Sequence, residues 1–349
     1  MDTRAVAHTR RARPALQVRL PGSRAMLLLL LLQGCTPDFD DVWKVKDLRI
    51  LAIQADPPEV LLHVQSSTSI PPVTVRALVV DPRISADQQL DWELWACTPE
   101  ARTCDQASTH IQVHRGRSRL DQIQTSFQLT PDLLADALRR DQYRGFGGVP
   151  VKVQLNVWPK GEAVPVLGMK RLVYAFHESP LGQSPATGTL SGPCRPRTTS
   201  PCDEGLVCDG DGICRKIPNR NPRLTRLLAG REPIVDGWSV LAGSRITLWP
   251  ETSEQDLEPY WVFTFDGGTL ALKEYLSYAY FVTTGRLSSP TTGGEPSPFV
   301  DLRSNISSRW VPLTAGQTNV WVVARDDRGG TGWISVPLEV LPAFKSAAP

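Results

Sequence analysis

From Arg49 onward apolar and polar residues trade places over short stretches, and Pro, Gly or Asp ends most of them. Arg49–Ala55 predicts a strand, stopped by Asp56-Pro57-Pro58-Glu59, where two prolines remove donors and force a turn. Val73–Val80 follows, with Val73, Val75, Ala77 and Val79 on one face and Thr74 and Arg76 on the other, and ends at Asp81-Pro82. In Leu90–Ala96, Trp92 and Leu94 alternate with Asp91 and Glu93 in the same way. One helix interrupts the strands. Thr130 is its N-cap, Pro131 its first position and Asp132 lies in its first turn, with Leu133, Leu134, Ala137 and Leu138 on one side. Strands resume at Val151–Val157 and Leu167–Phe176. Beyond a Cys-rich stretch, Trp261, Phe263 and Phe265 alternate with Val262 and Thr264 before an Asp266-Gly-Gly268 turn, and Tyr275–Val282 is another strand. Leu287–Pro298 is a polar Pro/Gly loop. From Ala315 to Val340 two strands flank an Asp326-Asp-Arg-Gly-Gly330 turn, whose Asp326 or Asp327 carboxylate is suited to turn hydrogen bonding. Pro337, which cannot donate to a ladder, suits an edge.

This pattern divides the chain. Residues 47–178 form a first β domain with a helical insertion, 179–193 a Pro/Gly/Ser/Thr linker, 194–214 a small disulfide-rich module, 222–342 a second β domain and 343–349 a tail. The expected fold class is mainly β, with two β domains joined by the module, each similar to an immunoglobulin-like β-sandwich. Thirty Pro, 26 Gly and 10 Trp agree with many short strands and tight turns.

Residues 1–34 read as a leader. Six Leu follow Met26 without a polar break, too few to cross a hydrocarbon layer of ~30 Å as a helix. They suffice for the apolar core of a signal peptide, preceded by six Arg and one Asp. Leu32-Gln-Gly-Cys35 resembles the lipobox of bacterial lipoproteins, with Leu32, Gly34 and Cys35 at the matching positions and Gln33 departing from the pattern. The resemblance implies a diacylglycerol and an N-acyl chain on Cys35, no other cofactor, and a lipidated tether over residues 35–46. An ordinary secretory peptide with an incidental Cys35, or a start at Met26, are the alternatives. Thr36 after the lipidated Cys implies the outer membrane, on its periplasmic or its surface side.

Six further Cys remain for an oxidising compartment: Cys97, Cys104, Cys194, Cys202, Cys208 and Cys214. Cys97 and Cys104 bracket a hydrophilic loop that a disulfide closes locally. The last four allow three pairings, and with only ~20 residues the module depends on cross-links. Zinc is the competing reading, but no Cys-x-x-Cys pair or partner His is close.

The formal charge of +2 belongs to the whole chain; without residues 1–34 the balance is 32 basic against 35 acidic, or −3, which is no nucleic-acid footprint. Catalytic motifs are absent from the sequence: there is no Gly-x-Ser-x-Gly, His-Glu-x-x-His or phosphate-cradling Gly loop. His110 and His114 would stand ~13 Å apart on a strand, beyond sharing one metal. His63 and His177 have no motif around them. Asp209-Gly-Asp-Gly212 reads as a turn rather than a calcium loop, since Ile213 follows where a ligand oxygen is needed. The expectation is no enzyme, no catalytic residue and no metal.

Ala55-x-Pro-Pro-Glu-Val60 with the Val-rich and Trp strands resembles bacterial immunoglobulin-like domains. The closing hairpin is similar to that of PKD domains, and the whole resembles envelope lipoproteins of the myxobacterial type. The resemblance implies a membrane anchor, envelope or surface protein partners, and a binding, adhesive or scaffolding role. A polysaccharide ligand is the second reading, motivated by Tyr260, Trp261, Tyr275, Tyr278, Tyr280, Trp310 and Trp333. The third is an exported hydrolase, which a pocket joining His177 or His114 to a carboxylate and a Ser would revive.

Overall fold

The computed structural model describes residues 41–62, 70–85, 87–177, 202, 206–208, 214–253, 256–264, 269–295 and 306–343. The leader, Cys35, His63, the linker, Cys194, Asp209–Gly212, and Phe265 with the 266–268 turn lie outside them. No helix among the described residues is long and apolar enough to cross a membrane.

In the first domain β1 (Arg49–Asp56) ends at a cis Asp56–Pro57 peptide and the chain crosses to β2 (Glu59–Leu62) in the opposite sheet. There follow β3 (Val73–Val80), β4 (Gln89–Cys97), β5 (His110–Arg119), β6 (Gln124–Phe127), the helix α1 (Pro131–Arg140), β7 (Val149–Val157) and β8 (Val166–Phe176). One sheet has the order β1-β3-β6 and the other β2-β8-β7-β4-β5, with β2 parallel to β8. Ile53, Ala55, Val73, Val75 and Val79 from the smaller sheet meet Trp92, Leu94, Val151, Val153, Leu155, Val157 and Tyr174 from the larger, all buried. The helix forms as its signals require. Thr130 Oγ1 accepts from the Leu133 amide at 3.4 Å, Pro131 opens the first turn, and Leu133, Leu134 and Ala137 close one end of the core.

The module contributes β9 (Leu206–Cys208) and β10 (Cys214–Lys216), an antiparallel pair. Disulfides join Cys97 to Cys104 and Cys202 to Cys214, and Cys208 is disulfide-bonded as well.

The second domain runs β11 (Leu224–Ala229), β12 (Glu232–Pro233), β13 (Ser239–Leu241), β14 (Ile246–Thr252), β15 (Pro259–Phe263), β16 (Thr269–Lys273), β17 (Leu276–Val282), β18 (Arg286–Leu287), β19 (Thr291–Gly293), β20 (Ser308–Val311), β21 (Gly316–Asp326) and β22 (Thr331–Leu341). Its sheets have the orders β12-β11-β14-β20-β18 and β13-β22-β21-β17-β19, while β15 and β16 form a separate hairpin. The stretch read as a polar loop, Leu287–Pro298, begins instead with two short edge strands, β18 and β19, one in each sheet. Pro337 pairs with Asn319, whose own N–H and C=O engage Thr283. That pair is therefore a non-hydrogen-bonded one, and the absent Pro N–H falls beyond the end of β13, which pairs only with residues 339–341.

The two sandwiches share a third apolar layer. Leu51, Ala52 and Val80 on the outer face of the β1-β3 sheet pack with Trp321 and Val323 on the outer face of β21, and Val45 joins them. Residues 43–45, expected at the end of a tether, are built into this body. The Val45 amide donates to the Val282 carbonyl at 2.9 Å, the Val282 amide donates to the Trp43 carbonyl at 3.1 Å, and Trp43 is buried in the second core.

Candidate junction site

The hairpin turn between β21 and β22 is held by its first residue. Asp326 Oδ1 accepts from the amides of Arg328 at 2.9 Å and Gly330 at 2.6 Å, and Gly329 takes φ of 100°, a conformation that favours glycine. A Cβ on Gly330 would overlap Asp326 Oδ2, so the turn closes this tightly only with glycine there. The result aims the Arg328 side chain into the junction of both sandwiches and the module.

Arg328 is 8% exposed along its side chain and joins four segments. Its Nη1 donates to Glu274 Oε1 at 3.1 Å and lies 3.9 Å from Glu258 Oε2; its Nη2 donates to Glu59 Oε2 and to the Ile217 carbonyl at 3.3 Å. Its guanidinium stands 4.9 Å from the centre of the Tyr260 ring. Glu59 also faces Lys216 at 3.6 Å, and Glu258 faces Arg220 at 3.4 Å. From the first domain Lys170 Nζ donates to the Gly329 carbonyl and, at 2.9 Å, to Thr331 Oγ1. Asn221 bridges the parts by donating to the Ala55 carbonyl at 2.8 Å and accepting from the Thr331 amide at 2.9 Å.

Burial sets the protonation here. It pushes the Glu274 carboxyl up to about 8, the Asp326 charge adding to the rise and Arg328 opposing it. Burial pulls the Lys170 ammonium down to about 8 against the attraction of Asp326. At neutral pH Glu274 is mostly protonated, so the cluster holds less net negative charge than a count of its carboxyls implies.

Beside this cluster lies a cleft of about 330 Å³. One wall is Val173, Ala175 and Phe176 of β8 with the Gly145–Gly148 loop; the other is the β15–β16 hairpin, through Tyr260 and Val262. Glu59, Lys216 and Arg328 form its floor. Tyr260 pairs with Leu272 and Val262 with Leu270, which places all four on one face of the hairpin, and Leu270 and Leu272 are 49% and 37% exposed. Tyr260 Oη donates to Asp327 Oδ2 at 2.7 Å. The arrangement offers a slot with apolar walls and an ion-paired floor, with Arg171 and Asp327 also lining it, suited to holding a side chain or a short segment.

The residues singled out in the sequence are dispersed. His110 and His114 lie along β5, where His114 stacks on Trp92 at 4.5 Å and His110 tilts against Trp95 at 5.8 Å. Among the described residues no three His, Cys, Asp or Glu converge as metal ligands, and neither His114 nor His177 lines the junction cleft. Of the aromatics that motivated a polysaccharide ligand, Tyr278, Tyr280 and Trp310 are core residues at 3%, 0% and 0% exposure. Trp333 lies under Arg76 at 5.1 Å, and Trp261 packs against the module. Alternation turns Tyr278, Tyr280 and Trp310 into the core, and Tyr260, Trp261, Tyr275 and Trp333 are half-buried. Arg328, Glu59, Glu258, Glu274 and Lys170 went unnoticed in the sequence. The one local signal was an Arg set between the Asp and the Gly pair of a tight turn.

No protein-family model matches the sequence, and no curated protein matches it. Among solved structures, the fibronectin(III)-like modules of CbhA from Clostridium thermocellum align over 85% of this chain and 98% of theirs, at 8% identity and a TM-score of 0.22. A bacterial ice-binding adhesin aligns over 86% of this chain and 67% of that one, at 10% and 0.22. Red sea bream transglutaminase aligns over 84% of this chain at 10% and 0.22, and this chain spans 32% of its length. By its sheet topology the chain is a mainly β protein of two β-sandwiches and a disulfide-bonded module.

Proposed function

We propose that this is a lipid-anchored cell-envelope protein with a non-catalytic binding role, in which the junction cleft receives a segment of a protein partner. The observation that carries the binding reading is the cleft itself: three separate parts of the chain converge on an apolar slot whose polar floor is already paired. A preformed slot of this kind binds without first ordering its own walls. The anchor reading rests on Leu32-Gln-Gly-Cys35 and the charged leader before it. The outer-membrane reading rests on Thr36 after that Cys.

Two measurements test the parts separately. Radiolabelled fatty acid should enter the native protein and not Cys35→Ser, and the native form should sediment with outer membrane; equal behaviour without label removes the anchor. A photo-crosslinking residue at Val262 should give a discrete adduct in cells, whereas one at the exposed Val235, outside the cleft, should not. Identical patterns at both positions remove the cleft as the binding site.

A further inference from the structure

The second groove of interest lies away from the junction, on the outer face of the larger sheet in the first domain. It measures about 530 Å³ and is lined by Asp91, Glu93, Arg115, Arg117 and Trp158. Alternation puts them there. Trp92 and Val157 face each other in the core, so Asp91, Glu93, Arg117 and Trp158 turn outward, and the Trp158 amide donates to the Asp91 carbonyl at 3.0 Å to extend β7 beside β4.

Its polar groups are paired with one another. Arg117 grips Asp91 with two bonds of 2.8 and 2.9 Å, and Glu93 holds Arg115 at 3.2 Å while accepting from Trp95 Nε1 at 3.2 Å. Asn156, opposite Glu93, accepts from Gln154 at 2.9 Å, and Gln154 in turn accepts from the Cys104 amide at 2.8 Å. The disulfide-closed loop after β4 therefore fixes one end of the strip, near Trp95, and Trp158 marks the other. Asp91 and Trp95 are four strand positions apart, a span of ~13 Å.

Each carboxylate in the strip faces its own arginine, so the groove carries no surplus charge. It presents planar, bidentate hydrogen-bonding groups beside the half-exposed Trp158 indole. Indole faces stack on C–H-rich rings, and paired carboxylate and guanidinium groups match vicinal hydroxyls. We propose that this groove binds a neutral oligosaccharide, with Trp158 as the stacking platform and the Asp91–Arg117 pair as the hydroxyl-binding element. The inference rests on the reading of the chain as a binding protein but uses a different surface from the junction cleft, so the Val262 crosslink can fail without touching it.

The test is calorimetric titration of the purified full chain with chitotetraose, cellotetraose and maltotetraose, with polygalacturonate as an anionic control. At least one neutral tetrasaccharide should bind, roughly tenfold more weakly to Trp158→Ala, as loss of a buried aromatic contact implies. If Trp158→Ala fails to fold, the exposed pair Asp91→Ala/Arg117→Ala should give the same loss. Which of the three sugars binds separates an N-acetylhexosamine glycan from a β- or α-glucan. No binding by any, binding untouched by either variant, or binding of polygalacturonate alone would each overturn the proposal.

Discussion

Arg328 is where single side chains matter most. With Glu59 in bonding range and little solvent, its removal strands the Glu59 carboxylate in the interior and leaves Glu274 without its donor, and Arg328→Ala should lose about 3–5 kcal/mol of stability by denaturant titration. Glu274 adds a pH dependence. Its folded-state value of about 8 lies above the ordinary carboxyl value, so the folded protein binds the proton more tightly than the unfolded chain. Its effect on stability is thus most favourable at acid pH and declines as pH rises from about 4.5 to about 8. Glu274→Gln, which cannot ionise, should flatten that part of a melting temperature against pH profile; an unchanged slope would show that the group titrates normally. Lys170 acts in the opposite sense at higher pH, because the unfolded chain keeps its proton between about 8 and 10.5 while the folded one does not. Little of this was legible: Glu59, Lys170, Glu258, Glu274 and Arg328 come from five separated stretches, and no local pattern marks residues that meet only through tertiary contact.

Strands and loops were more readable, since alternation and turn residues act within a few positions. The helix at Pro131–Arg140 and the hairpin from Gly316 to Leu341 lie where cap, proline and Asp-x-x-Gly-Gly signals put them. The exceptions to alternation carry information too. Leu51–Ala55 and Val320–Ala324 are apolar or buried at almost every position, and they belong to the two strands covered on both faces, β1 and β21. Those runs mark the interface between the sandwiches. Short edge strands such as β18 and β19 gave no such signal, being too brief for a period to show. The loop closed by Cys97 and Cys104 should behave as a local staple: replacing both with Ser should cost roughly 2.5 kcal/mol from the restored freedom of a short loop. It should also loosen Gln154, measurable as faster exchange of the backbone amide at position 104, whose N–H that side chain accepts in the native chain.

At the scale of the molecule, four sheets are stacked, and the middle contact is apolar as well as ionic. Leu51, Ala52, Val80, Trp321 and Val323 bury the surface by which the sandwiches meet, with Lys170, Asn221 and Arg325 bonding across it. The two should therefore melt together. Coincident transitions are expected from fluorescence and from exchange at β7 and β21, and Trp321→Ala should lower both by about 3–5 kcal/mol. Two separate transitions in the native chain would mean the sandwiches are energetically independent.

The clip at Trp43–Val45 has a mechanical consequence. Traction arriving at Val42 divides between two holds, the Arg49 guanidinium that donates to the Val42 carbonyl at 2.6 Å and the backbone bonds of Trp43 and Val45 to Val282, and so enters β1 and β17 together. Both sandwiches therefore take load from the outset, through a side-chain bond in one and a backbone ladder in the other.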